Sequence, residues 1–339
     1  LPGDFEFGWR FPQFGIPQST IQRNNGIADS PLQHSPARIT HMANHPPLKT
    51  PNKNLTLCPL PTLPERPADG HKGTFGRVAV VGGSVGLSGA VCLASVAALR
   101  SGSGLVTACV PRTIQLLVAA CEPCVMTLGL PDDSAGLLPP AGTVLQELIN
   151  GRDAIGIGPG IGRTAAATAW ISALVQTAAC PLVLDADALQ PELCTQLTKP
   201  RQHPCVLTPH PGEFSRMTGL STSEIASDRE RLAADFARNH SVVLVLKGPR
   251  TIVTDGARWF LNDTGNSGMA TGGSGDVLTG IITSLLGQGL PEFEAAAIGV
   301  HVHGLAGDLA ADKYTPRAMI ASDLLTSLPD AWRRLQPPE

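Results

Sequence analysis

A chain of 339 residues, 42% of them hydrophobic, is long enough for one large domain or two small ones and can build a sizeable core. A formal net charge of −3 with no long basic run argues against a nucleic-acid footprint. Every apolar stretch is broken by Gly, Pro or charge well short of a bilayer span, and no charged start leads into an apolar block, so neither a membrane segment nor a secretory signal is expected.

In chain order, twelve of the 30 prolines fall between Pro2 and Pro67, in a stretch rich in Gln, Asn and Ser with little apolar periodicity. Residues 1–68 therefore read as a mostly disordered N-terminal segment. Within it Phe5, Phe7, Trp9 and Phe11 alternate as on a strand face, an arm that could dock on the body. From Arg77 the texture becomes α/β. Val78–Val81 reads as a buried strand running into Gly82-Gly-Ser-Val-Gly-Leu-Ser-Gly-Ala90 and an Ala-rich helix to about Arg100. Strands follow at Leu105–Val110, Ala154–Ile157, Pro181–Asp185 and Cys205–Thr208; Ser241–Lys247 and Thr251–Thr254 form a strand pair with a tight turn. A long helix follows Asp276, and another runs from about Glu292 to Asp312. Short continuous apolar strands alternating with helices predict a mostly parallel sheet covered on both faces, in one domain over residues 69–335. There is no internal repeat.

In such sheets ligands bind beyond the carboxyl ends of the strands, and the Gly-rich motifs here each follow a strand. The run Asn266-Ser-Gly-Met-Ala-Thr-Gly-Gly-Ser-Gly-Asp276 leads into Val277, Leu278, Ile281, Ile282, Leu285 and Leu286 at helical spacing. Bare backbone at a helix start offers free N–H groups and the positive end of the helix dipole, an anion hole. Asp276 is the charge beside it, either a base for a hydroxyl or a helix cap. Gly82-Gly-Ser-Val-Gly86 does not fit the dinucleotide spacing G-x-G-x-x-G, and no acidic residue stands about twenty positions on, so a nicotinamide-type dehydrogenase is weakly supported. Gly158-Pro-Gly-Ile-Gly162 is a second close-approach loop or a plain strand-to-helix turn. Asp185 and Asp187 read either as two carboxylates on one strand face needing a cation, or as a helix cap. Glu213 after Pro209-His-Pro-Gly could order a magnesium-bound water near phosphates, and His210 could donate to a ligand. Lys247-Gly-Pro-Arg-Thr251 puts a cation and bare backbone at a strand-pair tip, suiting nucleotide phosphate or ribose, or is simply a hairpin turn. His301 and His303 read as structural, and Lys313 with Tyr314 as a solvated helix end. Of the eight cysteines, Cys121 and Cys124 form one C-x-x-C without a second pair at metal spacing, so no zinc site is expected. The cysteines read as small buried hydrophobes of a reducing cytoplasm.

Seven separated motifs resemble the ADP-dependent (S)-NAD(P)H-hydrate dehydratase family, of ribokinase-like fold. They are His71-Lys-Gly-Thr-Phe-Gly76, Gly82-Gly-Ser with Ser88-Gly-Ala90, Gly158-Pro-Gly-Ile-Gly162, Val183-Leu-Asp-Ala-Asp-Ala-Leu189, Leu207-Thr-Pro-His-Pro-Gly-Glu-Phe214, Lys247-Gly248 and Gly268-Met-Ala-Thr-Gly-Gly-Ser-Gly-Asp-Val-Leu278. The resemblance spans about Asp69 to Trp332. Kinases of that fold share only the Gly-Asp helix start and an acidic motif like that around Glu213. The Pro-His-Pro-Gly-Glu form resembles the bacterial, ADP-using branch. Gln190 departs from the family's usual Asn.

The resemblance implies that Ala90, Gly160 or Gly162, His210 and Asp276 touch the hydrated nicotinamide. It implies that Lys247, Gly248, Pro249, Arg250, Thr251 and Gly275 hold the nucleotide. Asp276 would then accept the hydroxyl proton, the N–H groups around Gly272, Gly273 and Gly275 would steady the transferring phosphoryl group, and ADP with magnesium would be required, Glu213 acting on the ion through water. No protein-only metal site is implied. Many members carry an N-terminal epimerase domain; residues 1–68 are too short for one, so dehydration alone is expected. A soluble cytoplasmic homo-oligomer, a tetramer by resemblance, is expected too. The rival readings are a small-molecule kinase acting on a vitamin-precursor alcohol, and a nucleotide-sensing protein without turnover.

Overall fold

Strands whose residues are apolar on consecutive positions must be buried on both faces, and they are. In a computed structural model, residues 55–197, 201–203 and 205–335 are described. The strands are β1 (Thr56–Leu57), β2 (Arg77–Val81), β3 (Leu105–Pro111), β4 (Met126–Leu130), β5 (Asp132–Asp133), β6 (Gly136–Leu137), β7 (Ala154–Ile157), β8 (Leu182–Leu184), β9 (Cys205–Leu207), β10 (Val243–Leu246), β11 (Ile252–Thr254) and β12 (Arg258–Leu261). The helices are α1 (Ser88–Arg100), α2 (Arg112–Ala119), α3 (Gly142–Ile149), α4 (Ala165–Thr177), α5 (Pro191–Leu197), α6 (Pro211–Thr218), α7 (Thr222–Ser227), α8 (Arg229–His240), α9 (Ser274–Gly287), α10 (Glu292–Tyr314) and α11 (Ala321–Leu335). A ten-stranded sheet runs β1-β12-β11-β10-β9-β8-β7-β2-β3-β4, parallel except where β11 pairs antiparallel with β10 and β12. The pair β5–β6 is separate.

Strand side chains alternate between two cores. Val81, Ile157, Leu184, Leu207 and Leu246 point to one face with Trp170 of α4, Phe214 of α6 and Phe236 of α8. Val78, Ala154, Val183, Val206 and Val245 point to the other, with α9, α10 and α11. Helices thus cover both faces, as a parallel sheet requires. The ribokinase-like α/β architecture agrees with the expectation. Helix α9 is buried along nearly its whole length. It lies close on α1 because Gly280 has no side chain: a Cβ there would run into the Ala94 carbonyl oxygen.

Three local readings change. Residues 55–68, assigned by composition to the N-terminal segment, include β1, which adds to the sheet beside β12, and Cys58, Leu60 and Leu63 pack on the core. Sparse apolar residues between prolines hid this, because an edge strand of two residues has no periodicity to read. The strand pair is a three-strand meander, since Asp255-Gly-Ala257 turns the chain back into Arg258-Trp-Phe-Leu261. Helix α9 begins at Ser274, which puts Asp276 inside its first turn. The alternation Phe5, Phe7, Trp9, Phe11 lies outside the described residues. No helix among the described residues is long and apolar enough to cross a membrane.

Candidate active site

Strands β10, β9, β8, β7 and β2 are adjacent and parallel, so the loops leaving their carboxyl ends share one edge. Those loops carry Lys247, His210, Asp185, Gly158 and Gly82. Helix α9 sends its amino end to the same edge. At Gly275 a Cβ would stand 3.2 Å from Lys247 Nζ and 3.7 Å from Asp185 Oδ2. Cation, carboxylate and bare helix start therefore meet in one place.

Asp185 is fully buried, and its two oxygens are both engaged. Oδ1 accepts from Lys247 Nζ at 2.8 Å and Oδ2 from Thr279 Oγ1 at 2.7 Å. Burial opposes its charge, but Lys247 and the hydroxyls of Thr279 and Thr208 outweigh burial and hold the carboxyl below the usual range. Lys247 in turn lies 3.8 Å from Glu213 Oε2. Burial would discharge it, yet Asp185, Glu213 and Asp276 together raise its pKa. The β10–β11 turn that carries Lys247 is braced from below by Arg229 of α8, which donates to the Leu246, Lys247 and Pro249 carbonyl oxygens. Arg250 there adopts φ 55°, and Thr251 Oγ1 donates to the Gly248 carbonyl.

Among the described residues no hydrogen-bond donor meets the Asp276 carboxyl as Lys247 and Thr279 meet Asp185. Burial, then the negative Asp185, push its carboxyl up to about 7 against the opposing pull of Lys247, with Asp187 and Glu213 adding to the rise. The N–H groups of Gly275 and Asp276 lie in the first turn and have no acceptor within the helix. Gly273 caps this start at φ 91°, a left-handed conformation that costs a side chain energy, and a Cβ there would press on Leu93 and Ala321. The Ser274 carbonyl is fixed by His303 of α10, whose Nε2 stands 2.8 Å from it. Burial lowers the His303 pKa to about 4, so the ring is neutral and donates from Nε2. His303 is structural, as expected, but what it supports is the helix start.

His210 caps α6: its Nδ1 accepts from the Gly212 and Glu213 N–H groups at 3.0 and 3.2 Å. That assigns the proton of the neutral ring to Nε2, a donor on a half-exposed side chain, 3.4 Å from Glu213 Oε1. Glu213 Oε2 accepts the His210 N–H at 2.8 Å, closing a capping box.

The loops after β2 and β7 interlock. Ser84 Oγ donates to the Gly160 carbonyl at 2.9 Å, and the Gly83 N–H to that of Pro159 at 2.8 Å. A Cβ on Gly160 would meet the Ala90 Cβ at 3.1 Å and the Leu87 carbonyl oxygen at 2.8 Å. Ala90 and Gly160 are thus brought together. Gly162 is not part of that contact; its N–H donates to Asp187 Oδ2 at 3.0 Å. Asp187 also pairs with Arg163 at 3.0 Å, so it serves the Gly162 loop while Asp185 serves Lys247. The two carboxylates diverge because the strand ends at Leu184 and the chain turns at Ala186, φ 50°. The His71–Gly76 motif lies at the other end of α9, where a Cβ on Gly76 would strike Gly287. Thr279 and Arg229 were not singled out in the sequence; a Thr inside an apolar helix and an Arg at a helix start carry no signal of their own.

The family described as NAD(P)H-hydrate dehydratase matches residues 78–330. The chain belongs to this family. It is 48% identical over 278 residues to a bifunctional NAD(P)H-hydrate repair enzyme of Moorella thermoacetica, covering 81% of this chain and 52% of that protein. The chain thus spans about half the length of the bifunctional relatives. It is 37% identical over 282 residues to the ADP-dependent (S)-NAD(P)H-hydrate dehydratase of Bacillus subtilis, covering 81% of this chain and 95% of that one. The crystal structure of the Bacillus subtilis ADP/ATP-dependent NAD(P)H-hydrate dehydratase, co-crystallised with ATP and Mg2+, superposes with a TM-score of 0.71 at 33% identity, over 81% of this chain and 95% of that one. A ribokinase-like superfamily protein of Enterococcus faecalis gives 0.72 at 28% identity, over 87% and 100%.

Proposed function

We propose that this chain dehydrates the S epimer of hydrated NADH and NADPH at the expense of ADP, regenerating NAD(P)H and releasing AMP and phosphate. The observation that carries the reading is Asp276: a partly buried carboxyl with a pKa near 7, in the first turn of a helix whose free N–H groups and neighbouring Lys247 suit a phosphate. Hydroxide is a poor leaving group near neutral pH. Asp276 takes the proton from the hydroxyl on carbon 6 of the hydrate as that oxygen attacks the terminal phosphorus of ADP. The N–H groups of Gly273, Gly275 and Asp276, with Lys247, steady the charge on the transferring group. The ring nitrogen's lone pair then expels phosphate to leave an iminium, and the departing phosphate takes a proton from carbon 5, so that the C5–H bond becomes the C5–C6 double bond of the dihydropyridine. Ala90 and Gly160 make the bare wall against which the nicotinamide lies, and His210 Nε2 donates to it. The turn Lys247–Thr251 takes the rest of the nucleotide.

Among the described residues no group of three or more His, Cys, Asp or Glu is gathered to hold a metal ion. Asp185 and Glu213 already accept from protein donors. These residues fit magnesium only as an ion carried by the phosphates, reached by Glu213 through water. Bound so, it neutralises phosphate charge. A homo-oligomeric, cytoplasmic enzyme completes the reading.

Incubation with ADP and hydrated NADH, followed by the return of the reduced-nicotinamide absorbance, tests the proposal. A stable phosphorylated product would indicate a kinase instead, and ADP binding with no phosphate release a sensor.

A further inference from the structure

The proposed chemistry leaves Cys121-x-x-Cys124 unused, and the first of these cysteines has its sulfur neighbour elsewhere. The thiol of Cys92, partly buried on α1, donates to the Cys121 sulfur at 2.8 Å. Cys121 follows the end of α2, is exposed, and donates in turn to the Leu117 carbonyl oxygen at 3.4 Å. The two sulfurs come from separate elements, 29 positions apart. Val91 beside one shares an apolar cluster with Ile114 and Val118 of the other, which keeps α1 and α2 in register. Cys124 instead turns to Glu122: its N–H donates to Glu122 Oε1 at 3.1 Å, and that carboxylate raises its thiol pKa.

We propose that Cys92 and Cys121 form a reversible disulfide, a modification site that ties the start of α1 to the end of α2. The oxidant is a hydroperoxide. The exposed Cys121 sulfur attacks its outer oxygen; an S–O bond forms, the O–O bond breaks, and water or an alcohol leaves with the thiol proton. The Cys92 sulfur then attacks the Cys121 sulfenic sulfur. The S–S bond forms, the S–O bond breaks, and the departing oxygen takes the Cys92 proton and leaves as water. The peroxide gains two electrons and each sulfur gives up one. Burial first, and the Cys121 contact second, push the Cys92 thiol up to about 12, so the exposed Cys121 and not Cys92 is the sulfur that meets the peroxide, and Cys92 resolves it by its contact alone. Ala90 stands two residues before Cys92, so the bond fastens the helix turn that the hydrate wall uses. The bond itself stands whether or not the chain dehydrates the hydrate.

The test treats the full chain with excess hydrogen peroxide, alkylates the free thiols, digests without reductant and maps the peptides. The expected result is a Cys92–Cys121 cross-linked pair, two thiols lost per chain and recovered by dithiothreitol, with Cys124→Ser behaving alike. In Cys92→Ser, dimedone should label Cys121 as a trapped sulfenic acid. A Cys121–Cys124 bridge in the native chain would overturn the proposal. So would two thiols that stay reduced, or a Cys121 driven to sulfinic acid while Cys92 still alkylates.

Discussion

Asp276 is a carboxylate that the fold makes costly to ionise. Its pKa rises from 3.8 unfolded to about 7 folded, because burial and the fixed charge of Asp185 penalise the anion. A raised folded pKa contributes stability that is full below about pH 4 and is lost as pH climbs through 7. Asp276→Asn should therefore melt above the parent at pH 8, by about 2–4 kcal/mol after allowance for solvent screening, with the gap closing toward pH 4. The same substitution removes the base: kcat should fall about 10³-fold while ADP binds within a few-fold of the parent, by calorimetry. Near-normal turnover would take Asp276 out of the mechanism. For the native enzyme kcat/KM should rise with pH along an acid limb near 7, and a flat profile from pH 5 to 8 would say that the carboxyl is not the base. At this scale the sequence offered Asp276, His210 and Lys247 because each sits beside Gly or Pro on a loop after a strand. It could not tell Asp185 from Asp187. One residue of turn geometry at Ala186 separates their partners, and no spacing rule sees that.

The start of α9 depends on partners drawn from β8 and β10. Lys247 neutralises a buried Asp185, so removing the cation strands a charge. Lys247→Met should cost about 3–5 kcal/mol in urea unfolding, and adding Asp185→Asn should recover most of it; simple additivity of the two losses would contradict the coupling. Close packing of α9 on α1 gives a second expectation. Gly280→Ala puts a methyl group against the Ala94 carbonyl oxygen and should lower stability by about 1–3 kcal/mol, by the same measurement. Strands β2, β3 and β7–β10 were legible because parallel strands buried on both faces are continuous apolar runs. Helix α9 was legible from its 3.6 period. Strand β12 was not, because Arg258 opens it and pairs with Asp255 and Glu294, so a charged residue hides the run. Likewise β1 is too short to declare itself among prolines.

At the scale of the molecule, five adjacent parallel strands deliver their loops to one edge, and the cation, the acid and the bare helix start meet there. That convergence was readable as a tendency, since each glycine motif follows a strand, while the strand order that makes neighbours of distant motifs emerges only when the sheet assembles. Ligand linkage follows from such a site: ADP at 100 times its Kd should add about 2.7 kcal/mol and raise the melting temperature by roughly 5–10 °C. No shift would deny a nucleotide site. The central claim is that the hydrate's own oxygen is phosphorylated before it departs. Isotopically heavy oxygen placed in the carbon 6 hydroxyl, with ADP supplied, follows that atom directly. The account predicts the label in the released inorganic phosphate; label found in water instead would contradict it.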